Sequence, residues 1–213
     1  MIDVGHLSVT KGGKTIVSDV SLSVREGEKL LLRGPSGCGK STLLRALLFF
    51  EPFRGSIRFR NETVDRTNLA AFRSRISFLG QTLPQFQVSA DELLQMPFRY
   101  RANRDHRPDE AEKQRLLEAL NFNGGILETS FADLSGGERQ RLLILQVLLL
   151  NKPVAVFDEI TSALDRKNIA GAVREITADP RRTVIAVSHQ AEWEAAADRV
   201  IEMEEGRVLE GTG

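Results

Sequence analysis

The stretch Gly34-Pro35-Ser36-Gly37-Cys38-Gly39-Lys40-Ser41-Thr42 fits the pattern G-x-x-x-x-G-K-[ST]. It lies between an apolar run, Leu30-Leu31-Leu32, and the helix-spaced Leu43-Leu44-Arg45-Ala46-Leu47-Leu48. Strand, glycine-rich turn and helix in that order make a phosphate-binding loop. Glycines let the backbone close around an anion, and the loop amides and helix N-terminus point inward. Lys40 reaches the β- and γ-phosphates, and the Ser41 hydroxyl ligates Mg²⁺. The whole run from Gly34 to Thr42 is thus expected to hold a nucleoside triphosphate.

At 213 residues the chain suits one α/β domain carrying one insertion, long enough to bury a core. Lysine plus arginine balances aspartate plus glutamate at 29 each, so no strong field draws the surface to nucleic acid, and no nucleic-acid partner is expected. The longest apolar run, residues 142–150, falls far short of the roughly twenty needed to cross a bilayer. Met1-Ile2-Asp3-Val4-Gly5 lacks the start of a signal peptide, and one cysteine excludes an intrachain disulfide, which together point to the cytoplasm. That cysteine, Cys38, sits inside the phosphate loop. A bulky thiol reagent is expected to block nucleotide binding wherever the thiol is reachable.

Alternating apolar and polar residues from 2 to 33 predict antiparallel strands turning at Lys11-Gly12-Gly13-Lys14 and at Arg25-Glu26-Gly27-Glu28. A short strand is expected from Gly55 to Arg60, and a core strand at Ile76-Ser77-Phe78-Leu79 ending at Gly80-Gln81. From about 82 to 151 the pattern turns helical, with Pro108-Asp109-Glu110 at a helix start and Leu116, Leu117 and Leu120 on one face. Strand signals return at Val154-Ala155-Val156-Phe157 and Thr183-Val184-Ile185-Ala186-Val187, separated by a helical stretch as in a parallel sheet. The expected organisation is a single domain, its core at about 1–81 and 152–213 and its helical insert at about 82–151. After Glu205-Gly206-Arg207-Val208 the chain runs to Gly213, and no appended regulatory domain is expected.

Two further motifs carry chemistry. Asp158-Glu159 follows an apolar strand, so one carboxylate can hold a metal and the next can deprotonate an attacking water. Leu134-Ser135-Gly136-Gly137-Glu138-Arg139-Gln140-Arg141 offers a hydroxyl, two glycines and a helix N-terminus, a second place for an anion. Ser135 followed by Glu138 equally fits a capping box, and both roles can hold at once.

The stretch from Leu134 to Arg141 resembles the signature of ABC ATPases. Gln81 after a strand, Ser162-Ala163-Leu164-Asp165 past the acidic pair, and His189 after the strand at 183–187 follow in the family order, so the resemblance covers essentially the whole chain. It implies a P-loop NTPase of ABC type: a mixed, mainly parallel core sheet, an antiparallel β-subdomain and an inserted α-helical subdomain. It further implies ATP and Mg²⁺ as ligands. Lys40, Ser41 and Thr42 would bind phosphates and metal, with the amides from Gly37 to Lys40 helping. Gln81 would approach the metal and the attacking water, Asp158 would hold the magnesium, Glu159 would be the general base, and His189 would contact the γ-phosphate. Asp165 counts among the nucleotide-binding residues. Two such domains pair head to tail on ATP, so Ser135, Gly136 and Gly137 would complete the partner's site.

The resemblance extends to the ATPase subunits of a bacterial iron-export ABC type, the Fet type, through residues 158–165, the short helical lobe and Met96-Pro97-Phe98. An ATPase subunit peripheral on the inner membrane face, driving a separate integral membrane permease, is what this implies. The alternative is a soluble ABC ATPase acting on nucleic acid or ribosomes. Two departures stand out: Thr10-Lys11 occupies the place of an adenine-stacking aromatic, and Ile160 replaces a proline after the catalytic glutamate. His6, His106 and His189 are scattered, so a transported metal would be selected by the membrane subunit. Residues 98–104, Phe-Arg-Tyr-Arg-Ala-Asn-Arg, are either a docking surface for that subunit or a solvated basic face with its aromatics in the core.

Overall fold

Alternation from Ile2 onward produces a hairpin, β1 (Ile2–Lys11) and β2 (Lys14–Val24), closed through Gly12 and Gly13, both at positive φ as a tight hairpin turn requires. The computed structural model describes residues 1–103, 108–122, 124–161 and 163–209. Arg104, His106, Ser162 and Gly213, named above, lie outside them. Along the chain follow β3 (Lys29–Arg33), α1 (Lys40–Leu47), β4 (Arg54–Phe59), β5 (Glu62–Thr63), α2 (Leu69–Ser74) and β6 (Ile76–Leu79). Then come α3 (Ala90–Gln95), α4 (Glu110–Ala119), α5 (Gly136–Leu150), β7 (Val154–Asp158), α6 (Arg166–Thr177), β8 (Thr183–Val187), α7 (Ala191–Ala196), β9 (Arg199–Glu204) and β10 (Arg207–Val208).

The strands form two sheets, one antiparallel in the order β2-β1-β4-β5, the other in the order β10-β9-β3-β8-β7-β6. In the second, β9, β3, β8, β7 and β6 are all parallel, and only β10 runs against its neighbour. This corrects the expectation of a third antiparallel strand before residue 33. The turn at residues 25–28 carries the chain out of one sheet and into the other. Leu30, Leu31 and Leu32 are each at most 2% exposed, and a strand covered on both faces belongs in the middle of a parallel sheet. Alternation still operates, but it sorts side chains between two cores. Leu30, Leu32, Val154, Val156, Ile185 and Val187 face α1 and the antiparallel sheet, while Leu31, Ala155, Phe157, Val184 and Ala186 face the helices that follow.

Short α2, β5, α7, β9 and β10 were not expected from sequence. The first buries only Phe72, and β9 interleaves Glu202 and Glu204 with Ile201 and Met203. Neither leaves a long periodic signal. In contrast, α4 begins where Pro108-Asp109-Glu110 predicts, with the Asp109 carboxylate accepting from the Ala111 amide at 3.0 Å. Helix α5 is apolar on nearly every side because it is packed on nearly every side, with Leu142, Ile144 and Leu145 fully buried.

Candidate functional site

Four adjacent parallel strands, β3, β8, β7 and β6, end at one edge of the sheet, and each hands its next residues to that edge. The crevice beyond the carboxyl ends of parallel strands is where such sheets bind ligands. Here β3 delivers Gly34 to Gly39, β8 delivers Ser188 and His189, β7 delivers Asp158 and Glu159, and β6 delivers Gly80 and Gln81.

The loop after β3 is shaped by glycines that no other residue replaces freely. Gly34 has φ +138, and a Cβ there would lie 1.9 Å from the Met203 carbonyl oxygen in β9. Gly39, at φ +109, forms the N-cap of α1, whose first turn carries no acidic residue to occupy its free amides. Lys40 is only 4% exposed, and its ammonium donates to the carbonyls of Gly34 at 2.7 Å and Pro35 at 2.9 Å. Its charge is therefore held inside the curl of the loop. We expect Gly34→Ala to lower stability by about 3 kcal/mol or more through the clash with β9. Gly37→Ala, where φ is +78 but nothing lies within 4 Å of the added carbon, should cost only about 1 kcal/mol. Thermal unfolding of the two variants checks this, and equal losses would refute it.

Cys38 is buried, 8% exposed, with its sulfur 3.1 Å from where a Cβ on Gly34 would stand. A thiol reagent therefore reaches it only when the loop opens. Pro35, Ser36 and Gly37 are exposed and, with Lys14, Ile16 and Glu205, border a cavity of about 550 Å³ next to the loop. Thr10 and Lys11 are exposed, and the Lys11 ammonium is paired with Glu51 at 2.8 Å, a carboxylate that Arg45 also meets at 3.0 Å. Those partners draw Glu51 below the ordinary carboxylate range, the Lys11 hydrogen bond first.

Asp158 is 5% exposed, and the Ser41 hydroxyl donates to its Oδ1 at 2.9 Å across the junction of β7 and α1. Burial pushes its carboxyl above the usual range, the Ser41 bond opposing and the nearby Glu159 charge adding to the rise. A hydroxyl and a carboxylate side by side are hard oxygen donors suited to Mg²⁺. Among the described residues no cluster of three histidine, cysteine or acidic side chains could hold a metal alone. The donor set fits a cation whose other oxygens come from phosphate and water.

Glu159 has φ +52, a left-handed conformation rare for a non-glycine residue, and its amide donates to the Val187 carbonyl at 3.0 Å. The Gln81 amide donates to Glu159 Oε2 at 3.1 Å, and His189 Nε2 stands 3.8 Å from Oε1. Their side chains are 27% exposed for Glu159 and 53% for His189, so solvent reaches the group. Ile160, in contrast, is 1% exposed within the core. Lys40, Ser41, Gln81, Asp158, Glu159 and His189 thus converge on one edge.

Ser135 and its two glycines sit on another element. Ser135 caps α5: its hydroxyl accepts from the Glu138 amide at 3.3 Å, while Glu138 Oε2 accepts from the Ser135 amide at 2.9 Å. The same carboxylate accepts from the Ser135 hydroxyl and is thereby held below the ordinary range. A Cβ on Gly136 would meet nothing within 4 Å, whereas one on Gly137 would lie 3.3 Å from the Ala163 carbonyl. Asp165 caps α6, accepting from the Asn168 amide at 2.9 Å. Sequence reasoning missed Gln140, 3% exposed, whose Oε1 accepts from the Ala163 amide at 3.2 Å and joins α5 to the segment after Glu159. Its signal was a glutamine, otherwise costly to bury, inside an apolar helix.

The sequence profile of the ABC transporter family matches residues 17–162. The chain is 33% identical over 206 residues to "Probable iron export ATP-binding protein FetA" of Escherichia coli K12, covering 95% of this chain and 89% of that protein. It is also 33% identical over 213 residues to a "Probable ABC transporter ATP-binding/permease protein" of Haemophilus influenzae, covering 97% of this chain but 38% of that longer one. Among solved structures, the dimeric bacterial ABC transporter cassette MJ0796 superposes with a TM-score of 0.83 at 26% identity, covering 98% of this chain and 96% of that one.

Proposed function

The chain belongs to the ABC transporter family, and on that footing we propose that it is an ATP-hydrolysing subunit that drives a separately encoded membrane permease. One observation carries the reading: the triphosphate loop, the Ser41–Asp158 pair and the Gln81–Glu159–His189 group lie on adjacent strand ends, where a phosphate chain and its attacking water have to meet. Mg²⁺ held by Ser41 and Asp158, and approached by Gln81 from the end of the neighbouring strand, would offset charge developing on the phosphate oxygens. Lys40 exchanges its two carbonyl partners for phosphate oxygens, so its ammonium is never left unpaired. Glu159 takes the proton of the attacking water, oriented by the Gln81 amide, and His189, 3.8 Å from the Glu159 carboxylate, is the group we assign to the γ-phosphate.

At the Ser135-Gly136-Gly137 corner the helix is capped by Ser135 and Glu138, and a Cβ added at Gly136 would meet nothing within 4 Å, which leaves that face of the corner open. We infer that it faces the phosphate of a second copy, so that two chains close head to tail around two ATP molecules. The cassette MJ0796 has been seen as a dimer, including a post-hydrolysis state bound to ADP and Pi to which this chain is 25% identical, and this supports the reading.

For the permease, the surface at Met96–Arg99 and Tyr100 is the proposed docking place. Phe98 packs against the core, while Tyr100 stands 64% exposed next to Arg99 and Arg101. Similarity to FetA makes metal export the favoured transport, with the cargo chosen by the membrane subunit. Among the described residues, no helix is long and apolar enough to cross a membrane. ATPase activity of the purified chain, raised on reconstitution with its permease in vesicles, tests the coupling; activity indifferent to any permease would contradict it.

Among the described residues, the cavity bordering the loop has no aromatic ring in its lining, and Lys11 is engaged by Glu51. A missing base stack is worth about 1 kcal/mol, so GTP should compete for the site with a Kd within about tenfold of that for ATP. Displacement of a fluorescent ATP analogue measures this. A preference for ATP above about a hundredfold would show that the base is read by other groups.

A further inference from the structure

Glu159 and His189 are partly exposed, and the loops that carry them are joined by a partly buried bridge. Strands β7 and β8 end level, with Asp158 paired to Val187. Two residues past Glu159, Thr161 is 1% exposed and its hydroxyl donates to Gln190 Oε1. The Gln190 amide returns to the Thr161 carbonyl at 3.0 Å, closing a ring between the two loops. Trp193, in α7 and 3% exposed, donates from Nε1 to the Thr161 hydroxyl at 3.2 Å and packs on Phe157, the residue before Asp158, with ring centroids 5.9 Å apart. The Gln190 backbone amide donates to the buried Ser188 hydroxyl at 3.2 Å, so His189 is flanked by two fixed residues.

Burying an indole requires an acceptor for its N–H, and Thr161 supplies it. That need accounts for Trp193 and Thr161 but not for Gln190, a half-buried residue whose amide could face water and instead turns both polar atoms onto Thr161. The bridge also acts next to a strained piece of backbone, since Glu159 keeps a left-handed conformation that persists only when its surroundings fix it.

We propose that Gln190 and Thr161 are positioning residues for hydrolysis, their bridge setting where Glu159 and His189 stand relative to each other. The inference rests on the ATPase reading given above. Gln190 and Thr161 act through their neighbours, so their loss shows in turnover and not in nucleotide affinity.

The test compares Gln190→Ala, Thr161→Val and Thr161→Ser with the unaltered protein in steady-state ATP hydrolysis, thermal unfolding and tryptophan emission. Trp193 is the only tryptophan in the chain and reports on the bridge without turnover. Gln190→Ala and Thr161→Val should each lower kcat roughly tenfold to a hundredfold with KM for ATP within about twofold. Thr161→Ser should restore turnover, and Gln190→Ala combined with Thr161→Val should be no worse than either alone. Emission of Trp193 should shift to the red in both impaired variants. Wild-type kcat in Gln190→Ala overturns the inference, as does a loss of kcat that tracks a fall in unfolding temperature and is not rescued by serine. Unchanged Trp193 emission in Gln190→Ala also overturns it, whatever the turnover. An unaltered protein that hydrolyses no ATP would instead overturn the ATPase reading, which separates the two failures.

Discussion

Glu159→Gln is expected to lower ATP hydrolysis by about two to four orders of magnitude while leaving nucleotide binding intact, because it removes the proposed base and keeps the shape. The amide still accepts from Gln81, which now donates to Glu159 Oε2 at 3.1 Å, and the backbone at φ +52 is as tolerable for glutamine as for glutamate. Unfolding temperature should therefore be unchanged. On the proposed assignment nucleotide affinity rests on Lys40, Ser41 and the loop amides, none of which the substitution touches. Single-turnover hydrolysis with titrated Mg-ATP separates the two effects, and near-normal turnover would remove Glu159 from the chemistry.

The second large effect is expected at Ser135→Arg. The local cost is modest: the cap to the Glu138 amide is lost, about 1 kcal/mol, and a cation is placed at a helix N-terminus. The functional cost should be larger, with hydrolysis falling about a hundredfold or more, as for loss of a preorganised anion contact. Binding of ATP to the single chain should persist, since Ser135 makes its contacts with Glu138 and not with the Lys40 loop. A composite site adds a sharper consequence. Lys40→Ala spoils one half of each site and Ser135→Arg the other, so mixing the two inactive proteins creates dimers with one intact site and restores part of the hydrolysis. Two variants that stay inactive when mixed would argue that each chain works alone.

Much of this arrangement could be read from residues, and the reason differs by element. The strand at residues 183–187 announces itself because it is apolar after Thr183 and buried throughout, and β7 with its acidic end does likewise. The loop from Gly34 to Thr42 is legible because an anion cradle leaves few choices of residue. The sheet that β3 joins was not legible. A turn at 25–28 looks the same whether the chain folds back on β2 or crosses to a second sheet, and only the burial of all three leucines decides it. Likewise β9 and β10 carry too many charges to stand out, although β9 pairs with β3 along four residues.

Side-chain partners distant in sequence were the least accessible. Nothing local to Gln140 points to Ala163, and nothing local to Thr161 points to Gln190. Both contacts arise from packing of elements far apart in the chain, and both touch the segment after Glu159. In the same way the pairing of Lys11 with Glu51 explains how a lysine is accommodated where an aromatic was expected.

ATP-driven closure of two chains is measured by sedimentation of Glu159→Gln protein with and without Mg-ATP, across protein concentrations. A monomer that becomes a dimer on adding Mg-ATP, and that dissociates when the nucleotide is removed, is the predicted result. Protein that binds ATP to saturation yet sediments as a monomer at every concentration would contradict it.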